Sequence, residues 1–555
     1  MLFYIEISNK GVATMYVDEI NKKQGKKIYK TFLIRESYRD KDGKVKHKTV
    51  ANISKLPLEY IQQISAMLKN QKGDFKLEDL KNGRACEYGA SYVFKDLSKQ
   101  IGLEQAISSR KSQWREDVMA MIIGRILYQG SKLSLVNQYR DTALWELAGH
   151  EYGTRPDVEK HCYLPMDELL KRKKRIERKL AKKHLTDGCI ILYDITNTWF
   201  EGEYENSRKV AFGKGKGGKV GYKQIALGLL TNKEGCPVGV EIFKGNISDQ
   251  TTVLEQIKKL SDKYGIKHAV FTGDRGMLTA KRVDEISETN FKIITALTHL
   301  EMKKLLEKED IQKDLFDEKN ITEVVDSETG TRYALCKNEQ EMLKERKTRR
   351  AMIEKVKYLL EKKASVTRKR DPMKVAAGIG RIFEKYRIEK FFSWNIDDSG
   401  HLSWSLKQDR IDAEEELDGC YVIKTTAGPE VISKEEFVLG YRNLQKVEQG
   451  FKNMKTVLLE LRPVYHKKDD RIESHIFIVM LAYYLQWHAL KRLKPLFEAD
   501  GKGKDRRWTM ETVIERLKSI RKVDNLVNGI VVKRNITEPD DEQENILSLL
   551  KVKLK

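Results

Sequence analysis

Residues 189–198 read CIILYDITNT, a short apolar run followed at once by an aspartate. A run of this length after the turn pair Asp187-Gly188 predicts a buried strand that ends at Asp194. The chain after it predicts strands at 222–230 and 237–243, a helix ending near 264, a strand at 268–272, a helix at 279–289 and a strand at 291–296. This order indicates an α/β fold with a mixed sheet.

Two aspartates follow strands of this predicted sheet. Asp194 comes directly after the first apolar strand, and Asp274 follows the strand at 268–272 within the sequence GDRG. Open α/β sheets place their sites at the carboxyl ends of their strands. One aspartate in such a place is commonly a helix N-cap or a turn residue. Two on the same edge can instead form a shared site, and the pattern alone leaves both interpretations open.

A third acidic residue lies in residues 433–458, SKEEFVLGYRNLQKVEQGFKNMKTVL, which predict one long amphipathic helix. Ser433 and Glu436 fit a capping box at its start. Apolar residues recur at three- and four-residue steps and form one stripe, namely Phe437, Tyr441, Leu444, Val447, Phe451, Met454 and Leu458. Glu448 lies in or beside this stripe, seven residues from Tyr441 and from Lys455, so all three point nearly the same way. By itself, this pattern favours a glutamate at the edge of the stripe that reaches solvent.

Basic residues are in excess, with 105 Lys and Arg against 82 Asp and Glu, and the net charge of +23 is spread along the chain. A large protein of this charge typically meets nucleic acid, because counterions released from phosphates favour binding. The alternative is a basic protein without a polyanionic partner. Residues 169–184 carry nine Lys or Arg residues, among them Lys173 and Lys174, and one narrow apolar face. They predict a helix docked on a core, with its basic side either against DNA or solvated.

Three converging carboxylates can bind two divalent cations. Two metals ~3.5–4 Å apart activate a water or a 3′-hydroxyl and stabilise the leaving oxygen of a phosphodiester. Carboxylates suit Mg²⁺ or Mn²⁺, because these hard cations take oxygen ligands. Asp194, Asp274 and Glu448 are the candidate ligands, and the basic Lys455 lies one heptad along from Glu448.

Other classes of site and location are disfavoured. The six cysteines form no CxxC pair, and His161-Cys162 and the other histidines lack metal-motif spacing, so no zinc site or disulfide framework is predicted. No signal pattern is present, and the apolar run at 476–485 is too short to span a bilayer, so we expect a soluble cytoplasmic protein that meets DNA there. Residues 213–220 approach a P-loop, but Val220 replaces its Ser or Thr, which disfavours a nucleotide cofactor. Residues 213–220 are therefore predicted to be either a basic loop that lies over DNA or a plain hairpin loop.

Three blocks together resemble the bacterial insertion-sequence DDE transposases, in the branch with a Tyr-Arg-Glu-Lys signature around the catalytic glutamate. The matching blocks are ILYDITNTWFEG at 191–202, QIALGLLTNKEGCPVGVEIFKGNISD at 224–249 with FTGDRGMLT at 271–279, and YRNLQKVEQGFKNMKT at 441–456 with RPVYHKKDDRIESHIF at 462–477. Tyr441, Glu448 and Lys455 match the signature, whereas Leu444 stands where its Arg is expected. The resemblance covers residues 186–300 and 431–490 well.

The resemblance implies an RNase-H-like, retroviral-integrase-like catalytic core, with Asp194 ending its first strand and Asp194, Asp274 and Glu448 as catalytic, metal-binding residues. It implies Mg²⁺ or Mn²⁺ as cofactor, two ions, and double-stranded DNA as partner, both terminal inverted repeats and target DNA, bound by a homodimer in a synaptic complex. We expect DNA contacts from Tyr441, Lys446, Lys455, Arg275, Arg462, His466, Lys173, Lys174, Lys214 and Lys216. An aromatic residue of the insertion can stack on a flipped base in relatives, for which Trp394 and Trp404 are candidates, although buried core tryptophans are the favoured interpretation.

The predicted organisation is an α/β multidomain chain. It has an N-terminal β-rich segment with a hairpin (1–55), a helical, basic DNA-binding region (56–185), the first part of the core (186–300), an insertion domain (301–430), the second part of the core with the glutamate helix (431–495) and a charged C-terminal region (496–555). The expected activity is two-metal hydrolysis and strand transfer on DNA. The alternatives are a metal-dependent nuclease without strand transfer and a DNA-binding relic that lacks catalysis.

Overall fold

The computed structural model describes residues 14–24, 27–39, 43–69, 80–213, 221–307, 322–457, 459–501, 505–527 and 530–555. The chain forms two compact units. The terminal unit comprises Met1–Pro165 and His488–Lys555, and the central unit comprises Met166–Trp487. The C-terminal region therefore belongs with the N-terminal segments. No helix in the described ranges is long and apolar enough to cross a membrane.

The terminal unit begins with an antiparallel sheet of three strands in chain order, β1 Thr14–Gln24, β2 Lys27–Arg39 and β3 Val45–Asn52. The predicted hairpin between residues 27–37 and 44–53 is confirmed, and the tip of its turn at 40–42 lies outside the described residues. Helix α1, Leu58–Lys69, packs on this sheet and buries Ile61 against Phe32 and Ile53.

The rest of this N-terminal part is mainly helical, as predicted, with one strand that was not. It contains β4 Leu80–Glu87, α2 Gly89–Gln100, α3 Leu103–Ile107, α4 Gln113–Leu127, α5 Lys132–Asn137 and α6 Leu144–Leu147. Helices α5 and α6 are short, and a 3₁₀ turn, Gln138–Arg140, lies between them. A π-helical turn, Glu159–Tyr163, leads into the basic helix α7, Leu164–His184. Leu169, Ile176 and Leu180 of α7 are buried, which confirms its narrow apolar face.

The central unit is built on one mixed sheet. Its first part contains β5 Ile190–Trp199, β6 Ala211–Phe212, β7 Lys223–Asn232, β8 Pro237–Lys244, α8 Asp249–Lys259, β9 Val270–Thr272, α9 Ala280–Ser287, β10 Lys292–Ala296 and α10 His299–Glu307. A π turn, Leu260–Tyr264, extends α8 to the predicted end. Strand β9 is parallel to both β5 and β10, and β7 is antiparallel to β5 and β8. The predicted α/β unit with a mixed sheet is confirmed.

One predicted strand end is wrong. Strand β5 continues five residues beyond Asp194, so this aspartate lies inside the strand. The reason is that β7 pairs along the full length of β5, from Ile191↔Asn232 to Trp199↔Gln224. Continuous pairing satisfies the backbone groups of the polar Thr-Asn-Thr segment, and β-branched threonines suit a strand.

The sheet extends into the segment predicted as an insertion. That segment contains β11 Thr322–Val325, β12 Arg332–Lys337, α11 Glu339–Ala364, α12 Pro372–Tyr386, β13 Phe392–Ile396, β14 Leu402–Leu406, α13 Gln408–Glu415 and β15 Cys420–Thr425. The strand order is β11-β12-β15-β10-β9-β5-β7-β6, with β8 on β7. The elements from α11 to α13 share a separate core in which Trp394 and Trp404 are partly buried, as favoured from the sequence.

The remaining elements are α14 Lys434–Arg442, α15 Leu444–Lys452, α16 Asp469–Ala499, α17 Met510–Lys518, β16 Arg521–Val527, β17 Ile530–Ile536 and α18 Asp541–Leu550. In the central unit, α14 packs against β10 and α15 against β5. In the terminal unit, β16 lies between β17 and β4 in a second three-stranded sheet. Strand β4, LKNGRACE, lacks apolar alternation, which explains why its sequence did not reveal it.

Helix α7 is fixed to the sheet by a charged interior. Lys259 lies 2.9 Å from Glu177 and 2.5 Å from Glu241, while Lys173 lies 2.9 Å from Glu473. Burial raises the pKa of Glu241, but the ammonium groups of Lys173 and Lys259 outweigh burial and lower that pKa to about 2. The ionised carboxylate is therefore the form that the folded protein stabilises.

This shift predicts acid sensitivity. Glu241 contributes stability that is complete above its ordinary pKa of 4.5 and is lost as the pH falls through about 2. We expect urea unfolding of the full chain to lose ~2–3 kcal/mol across that range from this group. Glu241→Gln removes the titrating group, so its unfolding free energy should vary less steeply with pH. Equal slopes for the two proteins would contradict the assignment.

Candidate functional site

Parallel pairing of β5 and β9 brings the two aspartates side by side. The strands pair Ile190 with Val270 and Leu192 with Thr272. Two residues beyond the last of these pairs, Asp194 continues β5 and Asp274 lies in the turn after β9, and both line one cavity. Asp194 accepts a hydrogen bond from the Ile195 amide at 2.7 Å, and Asp274 accepts one from the Arg275 amide at 2.8 Å. Each contact orients its carboxylate by a backbone group.

The glutamate segment is helical but broken. Helices α14 and α15 meet at Asn443, and a π turn, Asn453–Val457, follows α15. The capping box of Ser433 and Glu436 is confirmed, whereas the prediction of one uninterrupted helix is wrong. Asparagine competes with helical hydrogen bonding through its side chain, which suits a break at this position.

The apolar stripe of this segment faces the sheet. Phe437, Leu444, Val447, Phe451 and Met454 are buried, and Tyr441 is partly buried; Leu458 lies outside the described residues. A Cβ atom at Gly440 would lie 3.1 Å from Ile294 and 3.3 Å from Ile190, so a glycine lets α14 approach the strands closely. Glu448 is exposed at the edge of the stripe, the position that the helix pattern alone favoured.

The three carboxylates line one open cavity of about 790 Å³. Asp194 reaches it from a strand, Asp274 from the turn after β9 and Glu448 from α15. The other lining residues are Lys337, Asn338, Glu339, Gln340, Glu341, Tyr421, Tyr441, Arg442, Leu444 and Gln445. Histidine and cysteine are absent from this lining. The described walls of the cavity therefore offer an oxygen-rich, negatively charged centre with cations at its margin.

Tyr441 reports on the carboxylates electrostatically. Burial raises the pKa of Tyr441, and the nearby carboxylates of Asp274 and Glu448 raise it further, to about 12, against the opposing charge of Arg275. The phenol is therefore protonated at neutral pH and can donate a hydrogen bond. Tyr441 therefore lies close enough to feel both the charge of Asp274, which follows β9, and the charge of Glu448, which lies on α15.

Arg442 and Tyr421 are site residues that sequence reasoning missed. The Arg442 Nε atom donates to the Tyr421 hydroxyl at 3.1 Å, and both side chains line the cavity. Leu444, at the position where the Tyr-Arg-Glu-Lys signature expects its arginine, is buried. The guanidinium that lines the cavity instead belongs to Arg442, two residues before Leu444. The signature expects its arginine three residues after the tyrosine, at position 444, whereas the arginine that lines the cavity directly follows Tyr441.

Lys455 lies beside β5. Its ammonium donates to the Asn197 carbonyl at 2.7 Å and to the Thr196 hydroxyl. Thr196 follows Asp194 by two residues on the same face, ~7 Å along the strand. Tyr441 therefore lies near the carboxylates of Asp274 and Glu448, whereas Lys455 contacts β5 two and three residues beyond Asp194.

Other predicted DNA contacts lie in different places. The Arg462 guanidinium stacks on the Trp199 ring at 3.2 Å, in a separate cavity of about 580 Å³. His466 lies 5.6 Å from the His475 ring. The Lys446 ammonium donates to the Lys233 carbonyl at 3.3 Å, and burial lowers the pKa of Lys446. Lysine 446 therefore faces the β7–β8 turn and does not substitute for the arginine missing at 444.

The two basic helix candidates differ. Lys174 is exposed, as a DNA contact requires. Lys173 is 5% exposed and is held by Glu473 and Glu241 inside the central unit. The expectation that Lys173 contacts DNA is corrected, because a buried ammonium already paired with carboxylates is not available to phosphates. Lys214 and Lys216 lie outside the described residues.

The comparisons with known proteins agree on one class. The family model described as "Transposase DDE domain" matches residues 185–485, and the model described as "IS1634 family transposase, N-terminal domain" matches residues 17–79. No curated protein matches the chain. Among solved structures, the piggyBac transposase synaptic complex with hairpin DNA is 8% identical, with a TM-score of 0.33 and coverage of 78% of this chain and 76% of that one.

A second solved structure is the Mos1 transposase paired-end complex with left transposon end. It is 16% identical, with a TM-score of 0.14 and coverage of 43% of this chain and 68% of the other. At such TM-scores neither likeness establishes a shared fold. The family model alone spans more than half of the chain and includes all three cavity carboxylates.

Proposed function

Since the chain belongs to the DDE-domain transposases and is the DNA transposase of an insertion sequence, we propose that Asp194, Asp274 and Glu448 are its catalytic carboxylates. The observation that carries the proposal is their convergence, from a strand, a turn and a helix, on one open cavity. We further propose that the mixed sheet with these helices is an RNase-H-like core. The assignment to the branch with the Tyr-Arg-Glu-Lys signature stays a prediction.

The donor set fits hard divalent cations. Three carboxylates without a lining imidazole or thiol favour Mg²⁺ or Mn²⁺ over zinc or copper. Asp194, Asp274 and Glu448 would hold the ions, and we propose two of them. When bound, such ions supply Lewis-acid activation of the attacking oxygen and charge stabilisation of the leaving oxygen.

The residues around the carboxylates bind and orient the DNA. Arg442 and Lys337 present cations at the margin of the cavity, where they offset the repulsion between phosphate and carboxylates. Tyr441 keeps its proton and donates to a phosphate oxygen. The backbone amides of Ile195 and Arg275 hold Asp194 and Asp274 in fixed orientations. Lys455, fixed to β5, extends the cationic margin along the strand.

Cleavage and joining assays test this function. The full chain, incubated with Mg²⁺ and a duplex that ends in the terminal inverted repeat of its own element, is expected to nick the end and join the 3′-hydroxyl to target DNA. Nicking without a joined product would favour a nuclease without strand transfer. DNA binding with no metal-dependent product would favour a relic that lacks catalysis. We propose that the ends are paired by a homodimer, which light scattering of the DNA complex would reveal as two chains.

Arg442 provides a specific prediction. Arg442→Ala is expected to weaken binding of end DNA ~10–100-fold, because a charged hydrogen bond to phosphate contributes ~1.5–3 kcal/mol. Fluorescence anisotropy of labelled end DNA measures the affinity. Arg381→Ala, at an exposed arginine of α12, is the control and should bind like the parent. Equal losses in both variants would indicate a general charge effect and contradict a site at Arg442.

A further inference from the structure

A second group of metal-ligating side chains lies in the terminal unit, apart from the carboxylate cavity. Asp117 comes from α4, His150 from the loop after α6, and His161 from the π turn before α7. One ligand atom from each lies within 4.8 Å of the others. They are separated by 33 and 11 residues along the chain, so they do not form a metal-binding motif that the sequence spacing would reveal. Neither family match assigns a role to this group.

The contacts within the group are short and directional. His150 Nε2 lies 2.6 Å from Asp117 Oδ1, and His161 Nδ1 lies 3.0 Å from Asp117 Oδ2. The two imidazole rings stand at 90° with centroids 4.4 Å apart. Asp117 is 1% exposed. A buried carboxylate thus faces two imidazole nitrogens from two other segments, and one point between them is reached by all three.

Gln113 lies against both the carboxylate and one imidazole of this group. Its Nε2 donates to the Ala148 carbonyl at 3.0 Å and to Asp117 Oδ1 at 2.9 Å, which fixes the direction of the amide. The same Nε2 lies 3.1 Å from His150 Nε2. Both hydrogens of this amide are used by those two acceptors, so the polar partner of His150 Nε2 is the Asp117 carboxylate.

We propose that Asp117, His150 and His161 bind one Zn²⁺ ion. A cation satisfies the lone pairs of both imidazoles and the carboxylate at once, and two nitrogens with one oxygen form a common zinc donor set. Around tetrahedral zinc, neighbouring ligand atoms stand ~3.3 Å apart, so small side-chain rotations open the group to accept the ion. Gln113 remains bonded to the carboxylate and orients it, as outer partners of metal ligands do.

The ion would connect three segments of the terminal unit. Asp117 lies in the second turn of the buried helix α4, and Trp145 packs edge-on against His150. His161 belongs to the π turn, a distortion frequent at functional sites. His161 is the most accessible ligand, with 27% of its side chain exposed. Solvent can therefore supply a water as fourth ligand. Binding of the ion to the folded state alone stabilises that state.

Metal analysis of the full chain tests the proposal. Asp194→Ala is used as background so that the proposed catalytic carboxylates do not hold zinc. After loading with ZnCl₂ and exhaustive dialysis, this protein should retain one zinc per chain by elemental analysis, and zinc should raise its melting temperature. Absence of retained zinc together with an unchanged melting temperature overturns the site without the need for any further variant.

A ligand variant and its control locate the ion. In the same background, His161→Ala should lose the retained zinc and the zinc-dependent rise in melting temperature. His401→Ala is the matched control, because His401 also lies near a carboxylate, 3.5 Å from Asp397, but without a second histidine. It should retain zinc. Retention by His161→Ala, or loss by the control alone, places the ion elsewhere and overturns the assignment. Because catalysis is not measured, failure here leaves the proposed transposase site untouched.

Discussion

Glu448→Gln is expected to reduce strand cleavage and strand transfer at least ~10³-fold. Glutamine keeps the size of the side chain but removes the charge that holds a divalent cation. A loss of ~4 kcal/mol of metal-dependent stabilisation slows a reaction by about three powers of ten. The affinity for end DNA should be unchanged or higher, because a carboxylate that repels phosphate has been removed. Asp194→Asn and Asp274→Asn should behave in the same way.

The control for this experiment lies in the same cavity. Glu339 also lines it, at the exposed start of α11, and is outside the proposed set of ligands. Glu339→Gln should therefore keep cleavage within about twofold, since surface substitutions have small effects. Product formation is followed on labelled end DNA at several Mg²⁺ and Mn²⁺ concentrations. Full activity in any one of the three carboxylate variants would remove that residue from the catalytic set.

Glu177→Ala is expected to cause the largest loss of stability, ~3–5 kcal/mol. Glu177 is 1% exposed and lies 2.9 Å from the Lys259 ammonium. It also accepts hydrogen bonds from the Val240 amide and the Tyr264 hydroxyl, both at 3.1 Å. Burial lowers the pKa of Lys259, but Glu177 and Glu241 raise it above its ordinary value. Removal of Glu177 leaves a buried ammonium with one fewer counter-charge and two donors without an acceptor.

Urea unfolding of the full chain, followed by circular dichroism, measures this loss. Glu168→Ala is the control on the same helix, because Glu168 pairs with Lys171 and Arg172 near the surface. It should cost ~0.5 kcal/mol or less. Glu177→Leu combined with Lys259→Met should recover much of the stability, since an apolar pair replaces a buried ionic one. If the double variant were as unstable as Glu177→Ala, the two donors left without an acceptor, and not the unpaired charge, would account for the loss.

The sequence allowed the core of the central unit to be predicted because its signals are local. Apolar runs gave β5, β7 and β9, and the capping box gave the start of α14. The aspartates could be predicted to lie near one another because each directly follows the apolar run of its strand, although β5 continues past Asp194. The features that were not predicted depend on contacts with residues that are far away along the chain. The full length of β5 follows from its pairing with β7, and β4 is a strand because β16, more than 400 residues later, lies beside it.

The same distinction holds for individual site residues. Helical spacing placed Glu448 at the edge of the apolar stripe, and it became a candidate ligand only together with the two aspartates and the family resemblance. Arg442 was not predicted, because its place in the cavity depends on Tyr421, to which it donates. Lys173 and Lys174 are adjacent in a uniformly basic sequence, yet one is buried against Glu473 and the other is exposed. Lys173 lies on the side of α7 that faces the sheet and Lys174 does not. The number and order of charges do not show which side that is.

The segment between β12 and β15 cannot be replaced by another sequence without effects on the central sheet and on the carboxylate cavity. Its two ends are neighbouring strands of the central sheet, and the Asn338 amide donates to the Gly419 carbonyl at 2.8 Å where the chain leaves and returns. The first residues after β12, from Lys337 to Glu341, also form a wall of the carboxylate cavity. A chimaera in which residues 338–419 are exchanged therefore also changes one wall of the carboxylate cavity, and with it the access of substrate to that cavity. One joined beyond the first turn of α11, within its own separate core, should leave the catalytic wall intact.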